Sequence, residues 1–238
     1  MMDFVVRART KIGIITGSGP DAGLDLWQKV LRANKQMIGD HYRGDLDAPF
    51  VSIISEPVLG LSMELEKNDA QVWSALSDVA KELDRQVDYY AIACNTLNYY
   101  QSQLGALSLR AQLVSFSEVV KQKLLADGIQ KVALLGADSV TDLGEWSPYR
   151  QLTEVAEVEI PKSDGGLHQL IYDVKTFGGE RKDIIDRFST LVEGLEADMV
   201  LLACTELPLI PIKSKKSLID VTDLVANELA KLSLSSSR

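Results

Sequence analysis

Ala91-Ile92-Ala93-Cys94-Asn95-Thr96 closes one apolar run of the chain, and Val200-Leu201-Leu202-Ala203-Cys204-Thr205-Glu206 closes another. These stretches carry the only two cysteines among the 238 residues. Each run reads as a short buried strand with an Ala-Cys pair at its C-terminal end. In open α/β sheets, ligands bind beyond the carboxyl ends of the strands. The fold therefore turns on whether these two strand ends are equivalent.

Other landmarks repeat in the same order. Lys11-Ile12-Gly13-Ile14-Ile15 recurs 120 residues later as Lys131-Val132-Ala133-Leu134-Leu135. Cys94 recurs 110 residues later as Cys204. Leu113-Val114-Ser115-Phe116 recurs 105 residues later as Leu218-Ile219-Asp220-Val221. Matched landmarks in one order mark an internal duplication. The predicted fold class is α/β, with two pseudo-symmetric doubly wound lobes, each a parallel sheet flanked by helices. A first lobe of residues 1–113, rejoined by 210–238, would face a second lobe of 114–209 across a cleft holding the active site.

Between the landmarks, apolar spacing predicts the remaining elements. Strands are expected over 11–15, 49–54, 88–93, 113–116, 131–136, 155–160, 198–203 and 218–220. Helices are expected over 21–37, 68–86, 118–126, 167–175, 181–195 and 221–232. Leu24, Trp27, Val30 and Leu31 would share the buried side of the first helix, and Ser117 would cap the third. Residues 55–62 read as loop, and 233–238 as a disordered tail.

Composition narrows the partners. A hydrophobic content of 46% with 25% charged residues is that of a globular chain. The formal charge of −9 argues against nucleic acid and against an anionic membrane surface. No apolar run approaches a membrane span. Residues 1–10 contain Arg7 and Arg9 but no signal-type apolar core, so the expectation is a cytoplasmic protein with free thiols.

Several site types lack their residues. The glycine stretch Gly17-Ser18-Gly19-Pro20-Asp21-Ala22-Gly23 misses the dinucleotide spacing and is interrupted by proline, so it reads as a tight turn lining a pocket. His41 and His168 lie in unrelated segments, without metal-ligand spacing to either cysteine. No Gly-x-Ser-x-Gly elbow is present.

What remains is the cysteine pair. Equivalent strand ends of duplicated lobes lie on opposite walls of a cleft. A thiol on each side of a bound carbon removes a proton from one face and returns one to the other, which inverts a stereocentre. Asn95, Thr96 and Thr205 supply donors for a carboxylate beside the thiols. Glu206 would orient an ammonium group or cap the following segment, and Lys175 would contact a substrate carboxylate or lie on the surface at a helix end. Two buried structural cysteines are the plain alternative for the pair.

Four stretches carry a resemblance: Ile12 to Pro20, Ala93-Cys94-Asn95-Thr96, Ile171-Tyr172-Asp173-Val174-Lys175 and Ala203-Cys204-Thr205-Glu206, with further support from Leu218-Ile219-Asp220. In these the chain resembles the aspartate/glutamate racemase superfamily, and most of all its aspartate racemase branch. The resemblance implies a cofactor-independent amino-acid racemase, usually dimeric, acting on a small-molecule substrate. Cys94 and Cys204 would be its acid/base thiols. Gly17, Ser18, Asn95, Thr96, Thr205, Glu206 and Lys175 would surround the substrate. The chain departs from the family pattern in three stretches. Thr16 and Ser18 alter the glycine loop, Asn98 stands where a His is usual, and residues 55–62 contain Glu56 but no Arg. A non-catalytic small-anion binding protein, or a cysteine-dependent isomerase or decarboxylase of a small dicarboxylic acid, fits the same residues.

Overall fold

The computed structural model describes residues 9–162 and 165–235. The first half runs β1 (Ile12–Thr16), α1 (Pro20–Ile38), β2 (Val51–Ser55), α2 (Leu65–Asp84), β3 (Tyr89–Ile92), α3 (Gln101–Ala106), β4 (Gln112–Leu113) and α4 (Phe116–Asp127). The second half runs β5 (Lys131–Leu135), α5 (Asp138–Thr141), β6 (Glu157–Glu159), α6 (Gly166–Phe177), α7 (Lys182–Glu193), β7 (Met199–Leu202), β8 (Ser217–Asp220) and α8 (Val221–Leu234). Two four-stranded parallel sheets result, ordered β2-β1-β3-β4 and β6-β5-β7-β8. The strand order is the same in both, as the duplicated landmarks require.

The strands are apolar on both faces because helices cover both faces. Ile12, Ile14, Ala91 and Ala93 of the first sheet and Val132, Leu134, Leu201 and Ala203 of the second point into one shared core. α1, α4 and α8 fill that core between the sheets. The alternate residues Ile15, Tyr90 and Ile92 pack outward under α2 and α3. Their counterparts Ala133, Leu135, Val200 and Leu202 pack outward under α6 and α7. Strand alternation thus sets the phase at both cysteines. Ala93 and Ala203 face the shared core, and the next residues, Cys94 and Cys204, turn to the other side.

Some elements differ from the sequence-based expectation. α1 buries Ala22, Leu26, Val30 and Ala33, leaving Leu24 57% and Trp27 39% exposed. The inward stripe mixes Ala22 and Ala33 with Leu26 and Val30 and runs along α8. The expected strand over 113–116 shortens to Gln112–Leu113. Ser115, not Ser117, is the N-cap of α4, and the two hydroxyls bond each other. Within the expected loop 55–62, a 3-10 helix (Pro57–Glu64) begins, its entry fixed by the Glu56 carboxylate accepting from the Val58 N–H at 2.9 Å. The segment 210–238 divides. β8 pairs with β7 as the edge of the second sheet, whereas α8 lies along α1. Ser233 is fully buried, and the Ser235 carbonyl accepts from Thr10, so 233–235 are ordered by their contacts. Residues 236–238 lie outside the described residues. Among those described, no helix is long and apolar enough to cross a membrane.

Candidate active site

Both cysteines follow a strand-ending alanine held by the neighbouring strand. The Ala93 N–H donates to the Ile15 carbonyl at 2.8 Å, and the Ala203 N–H donates to the Leu135 carbonyl at 2.7 Å. Asn98 fixes the first cysteine's backbone further. Its Nδ2 donates to the Cys94 carbonyl at 2.9 Å, and its Oδ1 accepts from the Phe116 N–H at the start of α4. Asn98 is 1% exposed, so this side chain is a structural tie between the Cys94 turn and α4.

Cys94 meets the glycine turn. Its thiol donates to Ser18 Oγ at 3.3 Å, and Ser18 Oγ lies 2.7 Å from Ser62 Oγ. Ser62 Oγ is in turn 3.8 Å from Cys94 Sγ. The turn adopts this close course because Gly17 has φ +121°, and a Cβ there would sit 2.0 Å from the Glu56 carbonyl oxygen.

Cys204 meets a carboxylate. Its thiol donates to Glu206 Oε2 at 2.9 Å, and Thr205 Oγ1 donates to the same oxygen at 3.0 Å. The other carboxylate oxygen pairs with Lys175 Nζ of α6 at 3.4 Å. That oxygen also lies over the first half's glycine turn, where a Cβ on Gly19 would approach it to 3.5 Å. Glu206 therefore spans the space between the halves rather than capping a helix. Lys175 is the outer member of this pair, its side chain 26% exposed, and the Glu206 side chain makes no cap hydrogen bond to the segment that follows.

The electrostatics place both sulfurs against the same groups. Burial pushes the Cys204 thiol well above its ordinary pKa, and the Glu206 carboxylate pushes it further. Burial opposes the charge on Lys175, but Glu206 and then the two cysteines outweigh it and raise its pKa. Burial also raises the Tyr149 phenol well above its usual value, with Cys94 and Cys204 both adding to the rise. Lys175 and Tyr149 each feel the charge of both sulfurs.

Tyr149 and Ser62 were not evident in the sequence. The Tyr149 ring is fully buried, and its hydroxyl donates to Asn95 Oδ1 at 2.5 Å, joining the second half to the first. That bond leaves Asn95 Nδ2 as a buried donor with no partner. A buried orphan amide beside a thiol is a ready carboxylate donor, because leaving it unpaired is costly. Thr96 is likewise buried next to it. His41 and His168 lie apart from this cluster. His168 Nδ1 accepts from the Asp138 N–H, and its ring packs on Tyr172.

Duplicated four-stranded parallel sheets with a thiol at each equivalent strand end define a two-lobe α/β protein of the aspartate and glutamate racemase fold. The chain is similar to the structure of an aspartate racemase homologue from Pyrococcus horikoshii, at TM-score 0.75 and 24% identity over 95% of this chain and 100% of that one. It is similar to the Picrophilus torridus aspartate racemase at TM-score 0.77 and 23% identity, over 93% of each chain. A glutamate racemase from Campylobacter jejuni matches at TM-score 0.67 and 16% identity, over 93% of this chain and 85% of that one. No protein-family model and no curated protein matches the sequence.

Proposed function

We propose that the protein is an amino-acid racemase that works without a cofactor, using Cys94 and Cys204 as opposed acid/base groups at Cα. One observation carries the reading: the two free thiols end equivalent strands of duplicated lobes and act on the same two neighbours, Lys175 and Tyr149. The fold likeness to aspartate and glutamate racemases supports the same chemistry.

The proton balance is simple. A Cys94 thiolate takes the α-proton and becomes a thiol. The Cys204 thiol delivers its proton to the opposite face and becomes a thiolate. Burial and Glu206 keep Cys204 protonated at rest, which suits it to the donor role. In the return direction, Glu206 Oε2 is positioned to accept the Cys204 proton. Asn95 Nδ2 and the Thr96 and Thr205 hydroxyls hold the substrate carboxylate, where negative charge spreads as Cα is deprotonated. A homodimer, as the resemblance implies, and a cytoplasmic location, as the sequence suggests, are part of this reading.

The test is incubation of single enantiomers with the purified protein in deuterated water, followed by chiral chromatography and mass spectrometry. The proposal expects the opposite enantiomer to appear carrying deuterium at Cα. Unchanged enantiomers across all amino acids refute it.

A further inference from the structure

Asn95 stands at the N-cap of the 3-10 helix Thr96–Tyr100, yet its side chain makes no cap hydrogen bond. An Asn there ordinarily turns its oxygen onto the N–H groups that follow. Here Oδ1 accepts from the Tyr149 hydroxyl instead, 54 residues along the chain. Asn95 is 4% exposed, and its Nδ2 has no partner among the described residues.

An amide has a donor end and an acceptor end, and a half-turn about its terminal bond exchanges them. The phenol decides between the two. In the reversed amide, Nδ2 would donate to the Tyr149 oxygen, and the phenol proton would lose its acceptor. Oδ1 would then face the space beside Cys94 and repel a carboxylate. With the hydroxyl donating to Oδ1, both Nδ2 protons are left for a ligand.

Tyr149 is itself held fast. Its ring is fully buried in the core shared by the two sheets. Its N–H donates to Ser147 Oγ at 3.2 Å, and Ser147 Oγ donates to the Val140 carbonyl at 2.6 Å. Its carbonyl accepts from the Leu152 N–H at 2.9 Å. Burial, and then the two cysteines, keep the phenol protonated, so it stays a donor while the thiols exchange protons.

We infer that Tyr149 is a positioning residue: from the second half it aims the Asn95 amide of the first half, Nδ2 foremost, at the substrate carboxylate. This rests on the racemase reading above and gives a role to a residue that acts through another. Donation to Oδ1 also polarises the amide and strengthens Nδ2 as a donor. The benefit is greatest when charge from the deprotonated Cα reaches the carboxylate, so it favours the transition state. Because the two side chains come from different halves, the carboxylate donor is set only when the halves are docked.

The experiment is a double-mutant cycle of Tyr149→Phe and Asn95→Ala. Exchange of the α-proton of aspartate, glutamate and alanine in deuterated water is read by proton NMR, at a temperature where circular dichroism shows every variant folded. Asn95→Ala should lower kcat/KM by about 10²-fold. Tyr149→Phe, which keeps the ring, should lower it by about tenfold. Added to Asn95→Ala, the Tyr149→Phe change should cost under about twofold more, because the group it aims is already gone. A further tenfold loss in the double variant, or unchanged turnover in Tyr149→Phe, overturns the inference and leaves the racemase reading intact. Should Asn95→Ala fail to fold, Asn95→Asp replaces it, since its carboxylate still accepts from Tyr149 but puts an oxygen where Nδ2 stood. Where exchange is too slow to read, the same cycle is taken from the Kd of aspartate by isothermal titration calorimetry. A wild type that binds aspartate but exchanges no amino acid sinks the racemase reading alone, and the binding cycle then decides the inference. Neither exchange nor binding by the wild type overturns both.

Discussion

Lys29→Met tests how the two halves are held together. Lys29 lies on α1 and is 6% exposed. Its ammonium pairs with Asp25 one turn earlier at 2.5 Å and with Asp220 at the end of β8. Asp220 also caps α8 by accepting from the Thr222 N–H at 2.8 Å. The lysine thus links the first half to the junction of the second sheet with α8. Methionine keeps the apolar stem and removes the charge, leaving two carboxylates facing each other. Breaking a buried pair by removing one partner costs about 3–5 kcal/mol. The side chain of Asp25 is 25% exposed and partly rehydrates, which favours the lower end of that range, about 3 kcal/mol. For a chain of this length that lowers Tm by roughly 6–12 °C. Differential scanning calorimetry, with urea unfolding as a check on cooperativity, reads the change. Lys29→Met/Asp220→Asn should recover part of the loss, because it removes one of the stranded anions. A Tm shift under about 2 °C for the single variant would refute the reasoning.

The same triad makes a pH prediction. Burial works against the charge on Lys29, but Asp220 and Asp25 outweigh it and raise its pKa. Its stabilising contribution is therefore complete below the unfolded lysine value of about 10.4 and is lost as pH rises through the higher folded value; the gap between wild type and Lys29→Met should close only at strongly alkaline pH. Gly17→Ala should cost about 1–3 kcal/mol through its backbone conformation and the clash with Glu56. Gly105→Ala, in α3 with open space around it, should stabilise by roughly 0.5–1 kcal/mol, and urea titration of both checks the contrast. Tyr149→Phe should lose about 1–3 kcal/mol, since Asn95 Oδ1 is left buried without a donor; full stability would contradict the cross-half bond. Glu206→Gln removes a charge that raises the Cys204 pKa, so iodoacetamide labelling of Cys204 at pH 8, followed by peptide mass spectrometry, should quicken. An unchanged or slower rate counts against that cause.

Much of the architecture was legible because it depends on local pattern. Strand-length apolar runs and the repeat between Lys11 and Lys131, and between Cys94 and Cys204, are enough to imply matched parallel sheets. The repeat also implied that the cysteines occupy equivalent strand ends. What was not legible depends on packing between distant segments. Val30 of the expected α1 stripe is buried but Leu24 and Trp27 are exposed, because the docking of α8 sets which side of α1 faces inward. Ser62 lies in a 3-10 helix without hydrophobic periodicity, and its neighbour Ser18 is 44 residues away. Tyr149 sits in an irregular segment and meets Asn95 across 54 residues. Lys175 and Glu206 were each singled out, but their mutual pairing appears only once α6 is docked against the end of β7.

The most direct measurement is enantiomer interconversion in deuterated water by the wild type, Cys94→Ala and Cys204→Ala, each shown to be folded by circular dichroism. The account predicts racemisation with deuterium at Cα for the wild type, and a fall of about 10²–10⁴-fold or more for either variant, because each thiol serves one face. Either variant racemising at the wild-type rate would contradict the opposed-thiol mechanism.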